Sequence, residues 1–263
     1  MTPAPQIGDS RAGRTQAGYD RYYARSGADR NDLRTNPGVL FQTLALEASV
    51  VRAVRAMRLD PPAARVLDVG CGSGGDLFHL LRLGFDPANV TGIDIREQGI
   101  ARARRLYPQI RFVVGDASAM DFADGSFDLV WESTMFVTLA DPKLSAQIAR
   151  EMVRVCTPEG YLLLVDWRTP KPWAPEYRAL RRSRMRYMFD VGGGTRLVGT
   201  FRGALVPPVG RLLSKWLPSM YFLLAACCPP LVGQVAYLLQ KNPAPAADAP
   251  YEVFDGATGG GRP

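Results

Sequence analysis

The sequence predicts an α/β protein with a parallel sheet, and three observations support that prediction. Short apolar runs of strand type alternate with helical runs through the middle of the chain. Three alternating glycines, Gly70, Gly72 and Gly74, separate the first strand from the first helix of this series. Charged residues make up 22% and hydrophobic residues 47% of the 263 residues, as in a folded domain that faces water. This order favours right-handed crossovers, with ligands bound at the carboxyl ends of the strands.

The first unit of the sheet is the run "VLDVGCGSGGDLFHLLRL", which begins at Val66. Four residues of strand type precede the glycines, and a helical apolar pattern follows them. Glycine permits a tight turn and a close approach of the backbone to a ligand, and the start of the helix offers free N–H groups. A loop of this kind also occurs in ordinary turns and in dinucleotide-binding proteins, so the motif alone predicts a ligand loop and leaves the ligand open.

The second unit narrows the choice of ligand. "VTGIDI" reads as a buried strand that carries Asp94 about twenty residues after the glycines, where a carboxylate can accept hydrogen bonds from ribose hydroxyls. A helix is predicted over Glu97–Leu106. The main rival is an NAD-dependent dehydrogenase, but its glycines follow the pattern G-x-G-x-x-G, and the spacing here is G-x-G-x-G.

Three further strands follow in the same alternating order. "IRFVVGDASAM" predicts a third strand that ends at Asp116, "SFDLVWEST" a fourth and "GYLLLVDW" a fifth, with a helix over Leu144–Cys156 before the last of them. Acidic residues thus follow several strands at the edge where ligands collect.

These motifs, taken in order, resemble class I S-adenosylmethionine-dependent methyltransferases, in their UbiE-like small-molecule group (methyltransferase type 11). The resemblance covers residues 66–167: "VLDVGCGSGG" is similar to the family's first motif, "GIDI" to its acidic second strand, "GDASAMDFADGSFDLVWES" to its adenine-binding block and "EMVRVCTPEGYLLLVDW" to its fifth-strand block. It implies a Rossmann-like, doubly wound, seven-stranded sheet whose last strand is antiparallel and inserted between the fifth and sixth. It also implies S-adenosyl-L-methionine as the cofactor.

The resemblance assigns the methionine part of the cofactor to the first and fourth strands. Asp68, acting partly through the loop or a water, and the backbone of Gly70, Cys71 and Gly72 would hold it, and the backbone near Glu132 would face its amino group. Each assignment has a structural alternative. Asp68 would then cap local backbone N–H groups, and Glu132 would be a solvated side chain.

The adenosine part is assigned to the second and third strands. Asp94 would bind both ribose hydroxyls, and Ile95 would pack on the adenine ring. Asp116 would accept a hydrogen bond from the adenine amino group, and Ala117 would donate its backbone N–H to the ring. The alternative for Asp116 is a turn residue.

The sequence offers few candidates for a catalytic base. A methyl group on a sulfonium is already activated, so its transfer depends mainly on alignment and desolvation, and a base helps only where the acceptor is a hydroxyl. Asp166 and Glu132, at the ends of the fifth and fourth strands, are the predicted catalytic residues. Cys71 and His79 are expected to be structural, and no metal site is predicted.

The chain outside the motifs is divided by its pattern into flanking parts. Residues 1–18 and 243–263 are expected to be flexible, and 19–60 to form an N-terminal helical lid with Tyr19 and Tyr22 over the cofactor. Residues 61–167 form the cofactor-binding core, and 168–242 a helical C-terminal cap with the last two strands. The cap is predicted to hold a helix over 175–189, a sixth strand at Thr195–Phe201 and a helix from Pro207.

One stretch of the cap has the length of a membrane span. Met220–Leu239 carries no charge, but Pro229 and Pro230 interrupt it, and we interpret it as a short helix followed by the buried seventh strand. A third interpretation keeps the apolar helix as a surface that touches a membrane or admits a lipid-like acceptor.

These observations lead to one expected function and one alternative. The expected function is S-adenosylmethionine-dependent methyl transfer to a small-molecule, sugar or lipid-linked acceptor, at oxygen; the alternative is a non-catalytic cofactor-binding regulatory module. Nucleic acid is not an expected partner, because "ESTMFV" replaces the Asn/Asp-Pro-Pro-Tyr motif of base-methylating enzymes. The cysteine pattern favours the cytoplasm. Peripheral contact with the inner face of a membrane and a homodimer are further expectations.

Overall fold

The structure, a computed structural model, describes residues 36–170 and 177–243 as one sheet with helices on both faces. In chain order the elements are α1 (Pro37–Arg55), β1 (Val66–Val69), α2 (Leu77–Arg82), β2 (Val90–Asp94), α3 (Glu97–Leu106), β3 (Arg111–Val114), β4 (Phe127–Ser133), α4 (Pro142–Val155), β5 (Cys156–Trp167), α5 (Arg182–Met188), β6 (Thr195–Arg202), α6 (Pro207–Trp216), α7 (Met220–Cys227) and β7 (Gln234–Lys241).

The order of the strands across the sheet is β3-β2-β1-β4-β5-β7-β6. β1 to β5 run parallel, and β7 lies antiparallel between β5 and β6. The predicted seven-stranded fold with an inserted antiparallel strand is therefore confirmed. The chain turns from one half of the sheet to the other between β1 and β4, and ligands of such sheets bind at this point.

Two apolar clusters hold the helices against the two faces of the sheet. Neighbouring residues of one strand belong to different clusters, as Leu67 and Val66 on β1 and Leu162 and Leu163 on β5 show. Because both faces are covered, the inner strands are continuous apolar runs, which is typical of parallel sheets. The sheet therefore gives a rigid base for the loops at its carboxyl edge.

Two helices start where their sequences supply a cap. The Asp141 side chain accepts hydrogen bonds from the backbone of Lys143 and Leu144, and proline follows it as the first residue of α4. The Asn36 side chain accepts one from Gly38 at the start of α1. These caps fix where α1 and α4 begin.

The predicted arginine-bearing helix over 175–189 is too long. Helix α5 begins only at Arg182. Before it, the backbone N–H of Arg178 donates to the Val137 carbonyl and that of Leu180 to the Trp167 carbonyl, both at 2.8 Å. These bonds to the β4–α4 connection and to β5 hold the segment extended against the sheet, a tertiary contact that helical periodicity does not reveal.

The uncharged stretch forms two elements, as predicted. Helix α7 ends at Cys227, Pro229–Leu231 form one 3-10 turn, and the chain continues as β7. Proline cannot donate a backbone hydrogen bond, so the pair ends the helix and redirects the chain into the sheet. Within 36–170 and 177–243, no helix is long and apolar enough to cross a bilayer.

The predicted N-terminal lid is only partly within the described residues. Tyr19 and Tyr22 lie outside them, as do the ends that were expected to be flexible. Helix α1 packs against α6 and against β6 and β7. The division into lid, core and cap stays a prediction.

Candidate active site

A cleft with about 800 Å³ of empty space lies at the carboxyl ends of β1 to β4. Five predicted cofactor-binding residues line it: Gly70, Asp94, Ile95, Asp116 and Ala117. The sheet therefore brings the ends of three predicted motifs to one cavity.

The glycine loop approaches the cleft in a backbone conformation that suits glycine. Gly70 and Gly72 have φ values of 74° and 56°, which side chains with a Cβ rarely adopt. A Cβ on Gly70 would also lie 2.8 Å from the sulfur of Met135 across the cleft. The backbone N–H groups of Gly70 and Cys71 donate to the Ile93 carbonyl, at 2.8 and 3.1 Å. The loop is thus fixed to β2.

Asp94 makes the second connection between the loop and β2. Its carboxylate accepts hydrogen bonds from the backbone N–H of Gly72 at 2.9 Å and of Arg96 at 2.8 Å. The Arg96 guanidinium lies 3.3 Å from the same carboxylate. A carboxylate has about four acceptor positions, so these three contacts orient Asp94 and leave about one position for a ribose hydroxyl, unless a bound ribose displaces the Arg96 side chain.

Asp116 makes a turn and also lies at the cleft. Its Oδ1 accepts a hydrogen bond from the Ser118 backbone at 2.8 Å, which makes a tight turn after β3. Asp116 also lines the cleft beside Ala117 and Ile95. A polar acceptor next to apolar surfaces is the environment that an adenine ring needs.

Asp68 and Cys71 are buried beside the loop, outside the residues that line the described cleft. Burial raises the pKa of Asp68 well above its usual value, and the charges of Asp76 and Asp94 raise it further. A Cβ on Gly92 would lie 2.8 Å from the Cys71 sulfur. Burial also raises the pKa of the Cys71 thiol, so this cysteine is a packing residue and a poor nucleophile.

His79 is also buried rather than half-buried. Its side chain lies on α2, with the ring 3.9 Å from that of Phe78. Burial lowers the pKa of the imidazole, which favours the neutral form. Its place on the helix, outside the cleft lining, supports a structural role.

The two predicted catalytic carboxyls are brought together behind the wall of the cleft. Glu132 accepts a hydrogen bond from the Met135 backbone at 3.0 Å, and Asp166 accepts one from the Val137 backbone at 2.9 Å. Both side chains are fully buried. Burial raises the pKa of Glu132 well above its usual value, and the neighbouring Asp166 raises it further. The pair thus holds the turn that follows β4.

Sequence reasoning missed several residues of the cleft wall. Thr134 and Met135 line it after β4, and Leu144 and Ile148 line it from α4. Thr134 has a φ of 58°, a conformation uncommon outside glycine. Leu144 and Ile148 lie four residues apart, which indicates that they share one apolar face of a helix. This spacing does not show whether that face lines a cleft or packs in the core. Arg96 was also missed.

A methyltransferase-domain family model matches residues 66–160. The 2-methyl-6-phytyl-1,4-hydroquinone methyltransferase of Synechocystis is 44% identical over 111 residues, 41% of this chain and 33% of that protein. The fatty-acid O-methyltransferase of Mycolicibacterium smegmatis is 40% identical over 130 residues, 48% of this chain and 45% of that protein. The matched part thus spans less than half of either relative.

The solved structures support the fold over a longer part of the chain. The 1,6-didemethyltoxoflavin-N1-methyltransferase of Burkholderia thailandensis, solved with S-adenosylhomocysteine, has a TM-score of 0.58 with 17% sequence identity, and the match covers 92% of this chain and 93% of that one. Family motif, cleft geometry and sheet order agree. Residues 66–160 are thus similar to a methyltransferase domain, and the order of the strands is the one that the resemblance to class I S-adenosylmethionine-dependent methyltransferases implied.

Proposed function

We propose that this protein transfers the methyl group of S-adenosylmethionine to a small lipid-like acceptor, at an oxygen atom. The observation that carries the proposal is the contact of Asp94 with the glycine loop, since it joins a fixed carboxylate to a glycine backbone in the left-handed conformation beside the cleft. The named relatives add the class of acceptor: a phytyl hydroquinone for one and a fatty acid for the other.

The cleft residues suit the two ends of this cofactor differently. Asp94 would accept from the ribose hydroxyls, and Ile95, Asp116 and Ala117 would surround the adenine ring. At the methionine end, Asp68 is buried beside the glycine loop. Burial and the charges of Asp76 and Asp94 raise its pKa, so Asp68 would contribute a hydrogen-bonding group there rather than a full negative charge.

The wall opposite the glycine loop would position the acceptor. When bound, the cofactor supplies an already activated methyl group. Met135, Leu144 and Ile148 give the cleft an apolar side, which would exclude water and hold an apolar acceptor in line with the methyl carbon. Alignment and exclusion of water are then the main contributions of this chain.

Of the two predicted catalytic carboxyls, Glu132 is the better candidate for a base. Its Oε1 has no hydrogen-bond partner among the described residues, and the next residues of the chain, Ser133 and Thr134, line the cleft. Because burial raises the pKa of Glu132, the carboxyl would have to lose its proton before it could act as a base, and methyl transfer to a hydroxyl should increase as pH rises. Asp166 accepts backbone hydrogen bonds on both oxygens, so we propose a supporting role for it.

Cofactor binding is tested with Asp94→Ala. We expect the affinity for S-adenosylmethionine, measured by titration calorimetry, to fall about 100-fold, because hydrogen bonds to a charged group contribute roughly 1.5–3 kcal/mol each. Asp121→Ala is the matched control, since Asp121 is an exposed aspartate away from the cleft lining. Equal affinities for the two variants would overturn the cofactor assignment.

Methyl transfer is tested with methyl-labelled S-adenosylmethionine and an extract of the organism's lipids. Label in the organic phase, released again by ester or ether cleavage, supports an oxygen of a lipid acceptor. Label that resists cleavage points to carbon or nitrogen, and label in the aqueous phase alone points to a soluble acceptor.

A non-catalytic regulatory module is the second candidate. It is favoured by the placement of Glu132 and Asp166, whose side chains are buried behind the cleft wall. Tight cofactor binding without label transfer to any fraction would support it. Loss of transfer in Glu132→Gln, with cofactor affinity retained, would instead support the proposed base.

A further inference from the structure

A band of exposed apolar side chains runs along α6, α7 and the turn between them. Their exposed fractions range from 43% at Phe222 to 67% at Trp216, with Leu217 and Leu223 between these values. The exposed residues of 216–230 include no charge. Single exposed leucines are common on proteins, but several in one short segment mark an interaction surface.

Helix α1 continues this band. Leu40, Leu44, Ala48 and Arg52 are exposed and lie four residues apart, so they form one stripe along the helix. Ala48 and Arg52 line the same groove as Phe222 on α7. We call the exposed residues of α1, α6 and α7 the outer face.

The buried residues of these helices hold the outer face rigid. Phe41 of α1 stacks against Tyr221 of α7, with ring centroids 5.5 Å apart. The Tyr221 hydroxyl accepts the backbone N–H of Leu205, at 3.2 Å. A Cβ on Gly38 would lie 2.8 Å from the Arg211 side chain, so α1 and α6 pack closely. The exposed apolar residues thus belong to a folded surface.

Among the described residues, the charged side chains of α6 and of the groove beside α7 are all cations. Arg211 and Lys215 lie on α6, and Arg52 and Arg202 line the groove beside Phe222. Between Asp190 and Asp248 the sequence contains no acidic residue. The Lys215 ammonium lies 4.9 Å from the centre of the Trp216 ring. A tryptophan beside a lysine at the border of an apolar patch is typical of surfaces that enter the interface of a bilayer.

We propose that the outer face docks on the surface of a bilayer that contains anionic lipids. The apolar side chains of α6 and α7 would enter the interface, and the surrounding cations would contact lipid phosphates. A symmetric dimer through the same face fits less well, because an isologous contact would bring the cations of two copies together. The proposal builds on the proposed function, in that a lipid acceptor would be met at this surface.

The experiment measures binding of the full chain to vesicles by co-sedimentation. We expect binding to vesicles with phosphatidylglycerol, and at least about tenfold weaker binding to pure phosphatidylcholine, because each cation near an anionic surface contributes roughly fivefold. Leu223→Glu should weaken binding at least about tenfold, since it removes an inserted apolar group and adds repulsion. Leu106→Glu is the matched control: Leu106 on α3 is 55% exposed and Leu223 is 52% exposed.

A second readout follows the tryptophan itself. Brominated lipids should quench the fluorescence of a Trp173→Phe variant, a background chosen because Trp173 lies outside the described residues. Adding Trp216→Phe should remove most of that quenching, since Trp131 and Trp167 are buried. Cofactor affinity of Leu223→Glu, measured by calorimetry, should match the wild type. The proposal of vesicle binding is therefore tested separately from the proposal of methyl transfer.

Three outcomes would overturn the docking proposal. The first is no binding of the wild type to anionic vesicles at low salt. The second is equal loss of binding in Leu223→Glu and Leu106→Glu. The third is a dimer at micromolar concentration that Leu223→Glu dissociates, which would assign the outer face to a second copy of the chain.

Discussion

The cleft and the outer face use apolar and charged side chains in opposite ways. In the cleft, Ile95 and Leu144 line the wall, and the charged residues of the lining are Asp94, Asp116 and Arg96, of which two are acidic. On the outer face, Trp216 and its apolar neighbours point to the outside, and the nearby charges are all cationic. One molecule therefore presents two apolar regions with opposite charge around them.

The charge around each apolar region determines which ligands that region can bind. An apolar surface attracts many ligands with little discrimination, and the surrounding charge selects among them. Acidic groups favour a cationic cofactor in the cleft, and basic groups favour an anionic surface outside it. Changes in the loop backbone, in salt concentration and in pH should therefore affect the two regions differently.

The largest expected effect concerns the backbone of the cleft. Gly70→Ala should lower the affinity for S-adenosylmethionine about 100-fold, because a left-handed conformation costs a Cβ-bearing residue roughly 1–3 kcal/mol and the new atom meets Met135. Gly75→Ala is the control, since a Cβ there meets nothing within 4 Å. Binding to anionic vesicles should be unchanged in both variants. If calorimetry finds the two variants alike, the loop does not approach the cofactor closely.

The next effect uses ionic strength. Raising salt from about 50 to about 500 mM should weaken vesicle binding roughly tenfold, because charges exposed on the outer face are screened beyond a few ångströms. Cofactor affinity should change by less than about threefold, since Asp94 is buried in the cleft. Co-sedimentation and calorimetry over the same salt series check this. Equal salt dependence of vesicle binding and cofactor affinity would contradict the proposed difference between the outer face and the cleft.

The smallest effect is a pH dependence of stability at the cleft wall. Burial raises the pKa of Glu132, so the folded state retains a proton that the unfolded state loses, and folding stability falls as pH rises above about 4.3. Glu132→Gln removes this penalty. The difference between the thermal midpoint of Glu132→Gln and that of the wild type should therefore increase by a few degrees between pH 5 and pH 8.

Glu151→Gln is the control of opposite sign for that measurement. Hydrogen bonds from Arg154 lower the pKa of Glu151, so this carboxylate stabilises the fold above the unfolded pKa, and the stabilisation is lost as pH falls through the folded pKa. The variant should lose most stability near neutral pH and little in acid. Parallel curves for the two variants would show that Glu132 is not protonated in the fold.

The sheet could be predicted from the sequence because its strands are short apolar runs between helical ones. Glycine suits the backbone conformation at Gly70, and Asp94 ends β2 at the lining of the cleft; the contacts of these residues with a cofactor stay a prediction. The start of helix α5 was predicted too far towards the N-terminus. The backbone N–H groups of Arg178 and Leu180 donate to carbonyls that are distant in the sequence, and the helical pattern does not reveal these contacts. The sequence also did not reveal that Glu132 and Asp166 are buried, because a position near the end of a strand does not show whether the side chain faces the cleft or the interior.

The position of β7 sets the order in which this protein can complete its fold. Among the described strands, β6 pairs only with β7, and β7 joins it to β5. Helices α6 and α7 lie between β6 and β7 in the chain, so they reach their final place only when the last strand inserts. That insertion is a long-range pairing, the kind of step that slows folding. We therefore expect the outer face to assemble late in folding, after β1 to β5 have paired.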